Sequence, residues 1–128
     1  MQDSQPPVRV TAVGRPRAVS DAVHAYGGLV FADVVTVSFA RKAIDAGVDG
    51  LVLVGAGAGG HAGSLSGFAF VSEVRKFWDG PVALAGAISD GRAVRAAEVM
   101  GADIAYMGTR FIAARERLVV DAYRDMLV

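Results

Sequence analysis

The chain contains no cysteine. That excludes a disulfide framework, thiolate catalysis and any cysteine-based metal centre. Its two histidines, His24 and His61, are too few for a His-rich metal site, so no metal is expected. Neither sign of charge is in excess, because 13 Lys and Arg offset 13 Asp and Glu. A balanced chain lacks the electrostatic footprint of a nucleic-acid or anionic-membrane binder. No apolar run reaches the roughly 18 residues that suggest a membrane span. Met1–Pro7 has neither the basic n-region nor the apolar h-region of a secretory signal. The expectation is a cytoplasmic protein with small-molecule partners, without nucleic acid or membrane.

What is present is apolar and glycine-rich. Hydrophobic residues make up 53% of the 128, and 16 are glycine, which suits one compact α/β domain. Short β-type runs at Val8–Val13, Leu29–Val35, Leu51–Val54, Val82–Ala85 and Ile104–Met107 alternate with helical patterns. Strands that are apolar on both faces and separated by helices predict a parallel sheet of βα units. The helical segment Ala18–Tyr26 precedes Gly27-Gly28, and a second pattern precedes Gly47, as C-terminal caps do. Ser66 is placed to start a helix carrying Phe70, Val71, Val74, Phe77 and Trp78, which Gly80-Pro81 ends. Ser89 or Asp90 can cap a helix running to Met100, and a last helix is expected over Arg115–Leu127. The residues of interest follow strands, and two of the three groups follow the last two strands. That favours a TIM-type (β/α) barrel, which binds phosphate there, over a doubly wound sheet. Five strands cannot close a barrel of ~200 residues or more. The expected fold class is therefore α/β with an incomplete set of about five βα units, either an open relative of the barrel or the C-terminal part of a (β/α)8 barrel.

The most informative stretch is Gly55-Ala56-Gly57-Ala58-Gly59-Gly60-His61-Ala62-Gly63, after the apolar strand. Glycines let backbone approach a ligand closely, and a histidine among them can move a proton near neutral pH. His61 is the candidate general base; a surface loop histidine is the competing reading. Gly55, Gly57 and Gly60 also match G-x-G-x-x-G, but no helix opens within the motif and no acid ends the next strand, so a dinucleotide fingerprint is disfavoured. Gly86-Ala87 and Met107-Gly108-Thr109 each end a strand and open a helix, the setting in which backbone N–H groups bind phosphate.

Other candidates have plainer readings. His24 is expected to serve its helix C-terminus, Asp90 to cap, Ser64 and Ser66 to cap, and Asp103 to serve stability below the last strand. Arg110 and Glu116 are expected in structural ion pairs. Asp33, in an apolar strand, is either an active-site acid or a satisfied polar residue of the barrel interior, the simpler reading. Phe68, Phe70, Phe77 and Trp78 are expected to pack helix on sheet.

Three motifs in order, Ala58-Gly59-Gly60-His61-Ala62-Gly63, Ala85-Gly86-Ala87-Ile88-Ser89-Asp90-Gly91-Arg92 and Met107-Gly108-Thr109-Arg110-Phe111, with Gly101-Ala102-Asp103 between the last two, resemble the nitronate monooxygenase (2-nitropropane dioxygenase) family over residues 8–128. The resemblance implies a single partial FMN-binding barrel domain over residues 1–128, and oxidation of alkyl nitronates or nitroalkanes with O2. It implies that Ala58, Gly59 and Gly60 line FMN and that His61 is the catalytic base. Gly86 and Ala87 would hold the FMN phosphate together with Met107, Gly108 and Thr109. Ala87 stands where the family usually has a second glycine, and its methyl is expected to require negative φ. The resemblance also implies further β/α units before these, whose absence leaves strand edges open to self-association. A related FMN reductase using NAD(P)H on an enoyl thioester or quinone shares the same loop, and a non-catalytic barrel fragment is the third reading.

Overall fold

The computed structural model describes residues 4–12, 16–59, 63–112 and 114. The chain alternates β1 (Val8–Thr11), α1 (Pro16–His24), β2 (Leu29–Val34), α2 (Val37–Asp45), β3 (Gly50–Val54), α3 (Gly67–Arg75), β4 (Val82–Ala85), α4 (Gly91–Met100), β5 (Ile104–Tyr106) and a short α5 (Thr109–Ile112). All five strands pair parallel in the order β1-β2-β3-β4-β5. A doubly wound sheet reverses its strand order at a switch point, and the described strands show no reversal. This is the winding of a TIM-type barrel, seen as an arc.

The side-chain period of two sorts the sheet into an outer and an inner face. Outward, Val30, Ala32, Val34, Leu51, Leu53, Val82 and Leu84 join Val23 of α1, Ala40 and Ala43 of α2, Phe70, Val71 and Val74 of α3 and Ala97 of α4 in one core. Inward, Phe31, Val52, Ala83 and Ala85 form a smaller cluster with Val54. Gly50 pairs with Phe31, and a Cβ there would lie 2.5 Å from the Phe31 ring. The missing side chain is what lets the ring lie across β3. At the ends of the arc, Val8, Val10, Ile104 and Tyr106 stay about half exposed, since no neighbouring strand covers them among the described residues.

Helix boundaries follow local chemistry. Thr36, Ser66 and Asp90 each accept a hydrogen bond from the backbone N–H three residues on, at Phe39, Ala69 and Ala93. Asp90, not Ser89, is thus the cap of α4. α1 begins at Pro16 rather than Ala18, because proline fits the first helical position. β2 and β5 stop one residue short of Val35 and Met107, and β1 stops at Thr11; Val13 and the helix expected over Arg115–Leu127 lie outside the described residues. Phe68 departs from the expected packing stripe: it is 72% exposed while Phe70 is fully buried. Two residues are about 200° of helix rotation, which turns Phe68 to solvent.

One device recurs at the bottom of the sheet. Gly47-Val48-Asp49 and Gly101-Ala102-Asp103 each pass through a positive-φ glycine and a buried apolar residue to an aspartate. The Asp49 carboxylate accepts the Val30 N–H at 2.7 Å, and that of Asp103 accepts the Val82 N–H at 2.8 Å. Each then meets a basic side chain from an earlier helix, His24 or Arg75, at 2.7 Å. His24 does end α1, as expected, but its partner is Asp49. Asp103 is structural, as expected.

Candidate functional site

The strands all point their C-terminal ends one way, and the loops leaving β3, β4 and β5 meet there. The loop after β3 is folded on itself. The Ala56 N–H donates to Leu65 O at 2.7 Å and the Gly63 N–H to Val54 O at 3.2 Å. It is then fastened to the turn after β4: Gly55 N–H donates to Ala85 O at 2.9 Å and Ala87 N–H to Gly57 O at 3.2 Å. Gly86 (φ +115°) fits because a Cβ there would come within 3.0 Å of the Gly55 and Ala56 carbonyl oxygens. A Cβ at Gly59 would touch Thr109 Oγ1 at 3.5 Å, which brings in the turn after β5. Three turns far apart in the chain are therefore one continuous rim.

That rim borders a cavity of about 1340 Å³, larger than the roughly 300–1,000 Å³ of common ligand sites. Gly57, Ala58, Gly59, Gly86, Ala87, Gly108 and Thr109 line it. Met107 does not, since it sits just below the turn where the chain leaves β5. Gly60 and His61 lie outside the described residues, but both flanks of that segment are placed. Gly59 is beside Thr109, and Gly63 is pressed against the ends of β2 and β3, where a Cβ would stand 2.6 Å from Val54 O and 2.7 Å from Val35 O. Those neighbours are backbone and cannot swing away, so Gly63 is a shape requirement of the loop. Its signal was present in the glycine-rich run, though Gly63 itself was not expected to hold anything.

Ala87 overturns one expectation. Its φ is +57°, so the methyl is carried in the left-handed region, not at negative φ. The strain is roughly 1–2 kcal/mol. The Ala87 N–H bond to Gly57 O and the tight seam between the loops hold the residue there. Its amide is thereby spent on the seam, and its contribution to the cavity is wall.

Asp33 overturns another. It lies on the inner face of β2, in register with Val52, and lines the same cavity. Its Oδ1 is buried with no hydrogen-bond partner, so it is not a satisfied interior residue. Burial holds its carboxyl above the ordinary aspartate range. Ser89, Tyr106 and Arg110 also line the cavity; Arg110 brings a cation beside Thr109, and its expected partner Glu116 lies outside the described residues. Ser64 is exposed and Ser66 caps α3. His24 is excluded from the site by its place at the opposite end of the sheet. Among the described residues no group of His, Asp and Glu is placed to hold a metal ion, and no helix is long and apolar enough to cross a membrane.

Known proteins resemble this chain in sequence and fold. A nitronate monooxygenase of Neurospora crassa is 37% identical over 126 residues, covering 91% of this chain and 33% of its own. A 5-hydroxy-7a-methyl-1-oxo-octahydro-1H-indene-4-carboxyl-CoA dehydrogenase of Rhodococcus jostii is 33% identical over 100 residues, covering 78% and 28%. The chain thus spans about a third of the length of these curated relatives. Among solved structures, FabK from Thermotoga maritima superposes with a TM-score of 0.86 at 35% identity, over 93% of this chain and 38% of that one. A nitroalkane oxidase from Streptomyces ansochromogenes superposes at 0.83 and 28% identity, over the same shares. Residues 1–128 match the nitronate monooxygenase family model in full. The chain belongs to the nitronate monooxygenase family.

Proposed function

We propose that this chain is the C-terminal part of an FMN-dependent nitronate monooxygenase barrel, with residues 1–128 forming one partial FMN-binding domain that oxidises alkyl nitronates or nitroalkanes with O2. The observation that carries the reading is the convergence of three separate turns on one cavity wall. The residues fit a phosphate-bearing flavin. Gly57, Ala58 and Gly59 present backbone with little side chain, as a flat ring system needs. Gly108, the Thr109 hydroxyl and the Arg110 guanidinium offer donors and charge to a phosphate beside the Gly86-Ala87 turn. When bound, FMN supplies the redox chemistry with oxygen.

In this reading the chain does the positioning and the proton work. The turns at Gly86-Ala87 and Gly108-Thr109 would hold the phosphate, and Gly57, Ala58 and Gly59 would face the ring system. Gly63 packs on the ends of β2 and β3, and His61, two residues earlier in the sequence, is in this reading the base for the α-proton of a nitroalkane or the group that orients a nitronate. The half-exposed edges of β1 and β5 are the surfaces through which copies would associate.

The test is FMN titration of the purified full chain, followed by absorbance, with and without His61→Ala. Flavin binding is expected to survive the change, while proton abstraction from a nitroalkane falls by about 10²–10⁴-fold. Unchanged turnover removes His61 from the role, and a wild-type chain that takes up no FMN removes the enzyme reading in favour of a non-catalytic fragment. The relative that acts on a CoA ester supports a second reading, an NAD(P)H-dependent reductase of enoyl thioesters or quinones. NAD(P)H oxidation without oxygen uptake on propyl nitronate would select it.

A further inference from the structure

Asp33 is the one buried side-chain polar atom without a partner among the described residues. An orphaned buried oxygen costs folding stability, and in native proteins it calls for an explanation such as strain, a catalytic role or a bound water or ion. Its position narrows the duty. In the sheet register Asp33, Val52, Ala83 and Ile104 form one inner layer, and Val54, Ala85 and Tyr106 form the next layer toward the loops. Asp33 is thus one layer, about 7 Å, below the strand ends. It lies on β2, about 10 Å of sheet from β4 and its phosphate turn. The loop segment above β2 is the one containing Gly63, which packs on Val35 O. Asp33 therefore lines the β2 side of the cavity, away from the turns after β4 and β5. Among the described residues Lys42 of α2, Tyr106 of β5 and Arg110 of α5 are the other charged or titratable groups lining the cavity. None of them bonds Oδ1.

We propose that Asp33 meets the oxygen of an anionic nitronate-type substrate and shares a proton with it, so that the cavity takes up its anionic ligand together with one proton. This rests on the function proposed above and adds a specificity residue to it. A bare carboxylate there would repel the anion, whereas a protonated one donates to it. Burial, which holds the Asp33 carboxyl above the ordinary range, keeps the donor form accessible, and a bound anion strengthens the same preference. No bond to carbon forms or breaks at Asp33; the proton comes from solvent and returns to it on release.

The experiment uses the full chain loaded with FMN and titrated anaerobically with propyl nitronate from pH 5.5 to 8.5, read by the flavin absorbance change. Wild type, Asp33→Asn and Asp33→Val are compared, with FMN affinity and thermal midpoint measured for each. Wild-type nitronate affinity is expected to fall relative to Asp33→Asn with a slope approaching tenfold per pH unit above the Asp33 midpoint. Asp33→Asn, a donor that cannot ionise, is expected to lose that difference. Asp33→Val is expected to bind nitronate at least tenfold more weakly at pH 5.5, with FMN affinity within threefold and a thermal midpoint no lower than wild type. A purely structural Asp33 would instead lower the thermal midpoint and leave nitronate affinity alone. Identical pH slopes in wild type and Asp33→Asn, or weakened FMN affinity in Asp33→Val, overturn the assignment while leaving the flavin reading standing. A wild-type chain that binds no FMN overturns both.

Discussion

Replacing Arg75 by lysine is expected to destabilise the fold almost as much as removing the side chain. Arg75 leaves the last turn of α3 and spreads its guanidinium across the bottom of the sheet. Nε and Nη2 donate to Gly101 O at 2.9 and 2.8 Å, Nη1 donates to Trp78 O at 3.2 Å and Gly80 O at 2.7 Å, and Nη2 also meets Asp103 Oδ2 at 2.7 Å. It ties the end of α3, the α3–β4 turn and the α4–β5 turn to one planar group. A hydrogen bond from a charged donor contributes about 1.5–3 kcal/mol when buried. The Asp103 side chain is 54% exposed, so solvent reduces the ion pair to about 0.5 kcal/mol. The Arg75 side chain itself is only 25% exposed, and the carbonyl contacts keep roughly half their full worth, or 1 kcal/mol each. Lysine has one point-like ammonium and cannot span the three carbonyls. The expected loss is about 2–3 kcal/mol for Arg75→Lys and about 3–4 kcal/mol for Arg75→Ala. In a domain of this size the unfolding entropy is about 0.27 kcal/mol/K, so the lysine variant should melt roughly 8–11 °C lower. The assay is thermal unfolding by circular dichroism at pH 7, with urea unfolding as a check. A lysine variant within 2 °C of wild type would refute the clamp.

The remaining predictions concern pH and backbone strain. Asp103 is held below the ordinary aspartate range by the Val82 N–H first and then by Arg75, against burial. For Asp49 burial pushes upward, but the bonds from His24 and the Val30 N–H outweigh it. Both carboxyls have lower values folded than unfolded. The stability they contribute is therefore present above about pH 4 and lost as pH falls through their folded values. Asp33, shifted the other way, takes stability away as pH rises past the ordinary range. Urea midpoints from pH 2 to 7 should show the acid loss reduced in the double variant Asp49→Asn/Asp103→Asn, and an unchanged profile would contradict it. At Ala87, glycine relieves roughly 1–2 kcal/mol of left-handed strain and returns about 0.5–1 kcal/mol through unfolded-chain entropy. Ala87→Gly should leave the melting midpoint unchanged or raise it by up to about 6 °C, and a lower midpoint would show that the φ of +57° carries no strain.

The βα alternation was legible in the sequence because parallel strands are apolar on both faces and glycine or proline punctuates them. The caps at Ser66 and Asp90 were legible because capping is local: the acceptor and the N–H lie three residues apart. The three motifs could be named as loops after strands for the same reason. Local pattern also misled. Phe68 belongs to the aromatic run by composition, yet helix rotation turns it outward. Ala87 was expected at negative φ because the strain of a single residue is ordinarily decisive, whereas here the seam to Gly57 overrides it. Arg75 carried no sequence signal, since its carbonyl partners at Trp78, Gly80 and Gly101 come from turns that only the sheet brings together. The Gly-Val-Asp and Gly-Ala-Asp repeats were visible as letters, but their bonds back to Val30 and Val82 depend on strand pairing. Composition, periodicity and punctuation are properties of neighbours along the chain, so the sequence by itself determined the class of fold and which glycine-rich loops follow which strands. Only the tertiary structure decided that Gly59 stands beside Thr109, that Gly63 packs on two strand ends and that Asp33 is left without a partner. Those facts depend on register between strands far apart in the chain, where a shift of one residue would turn Asp33 to the other face.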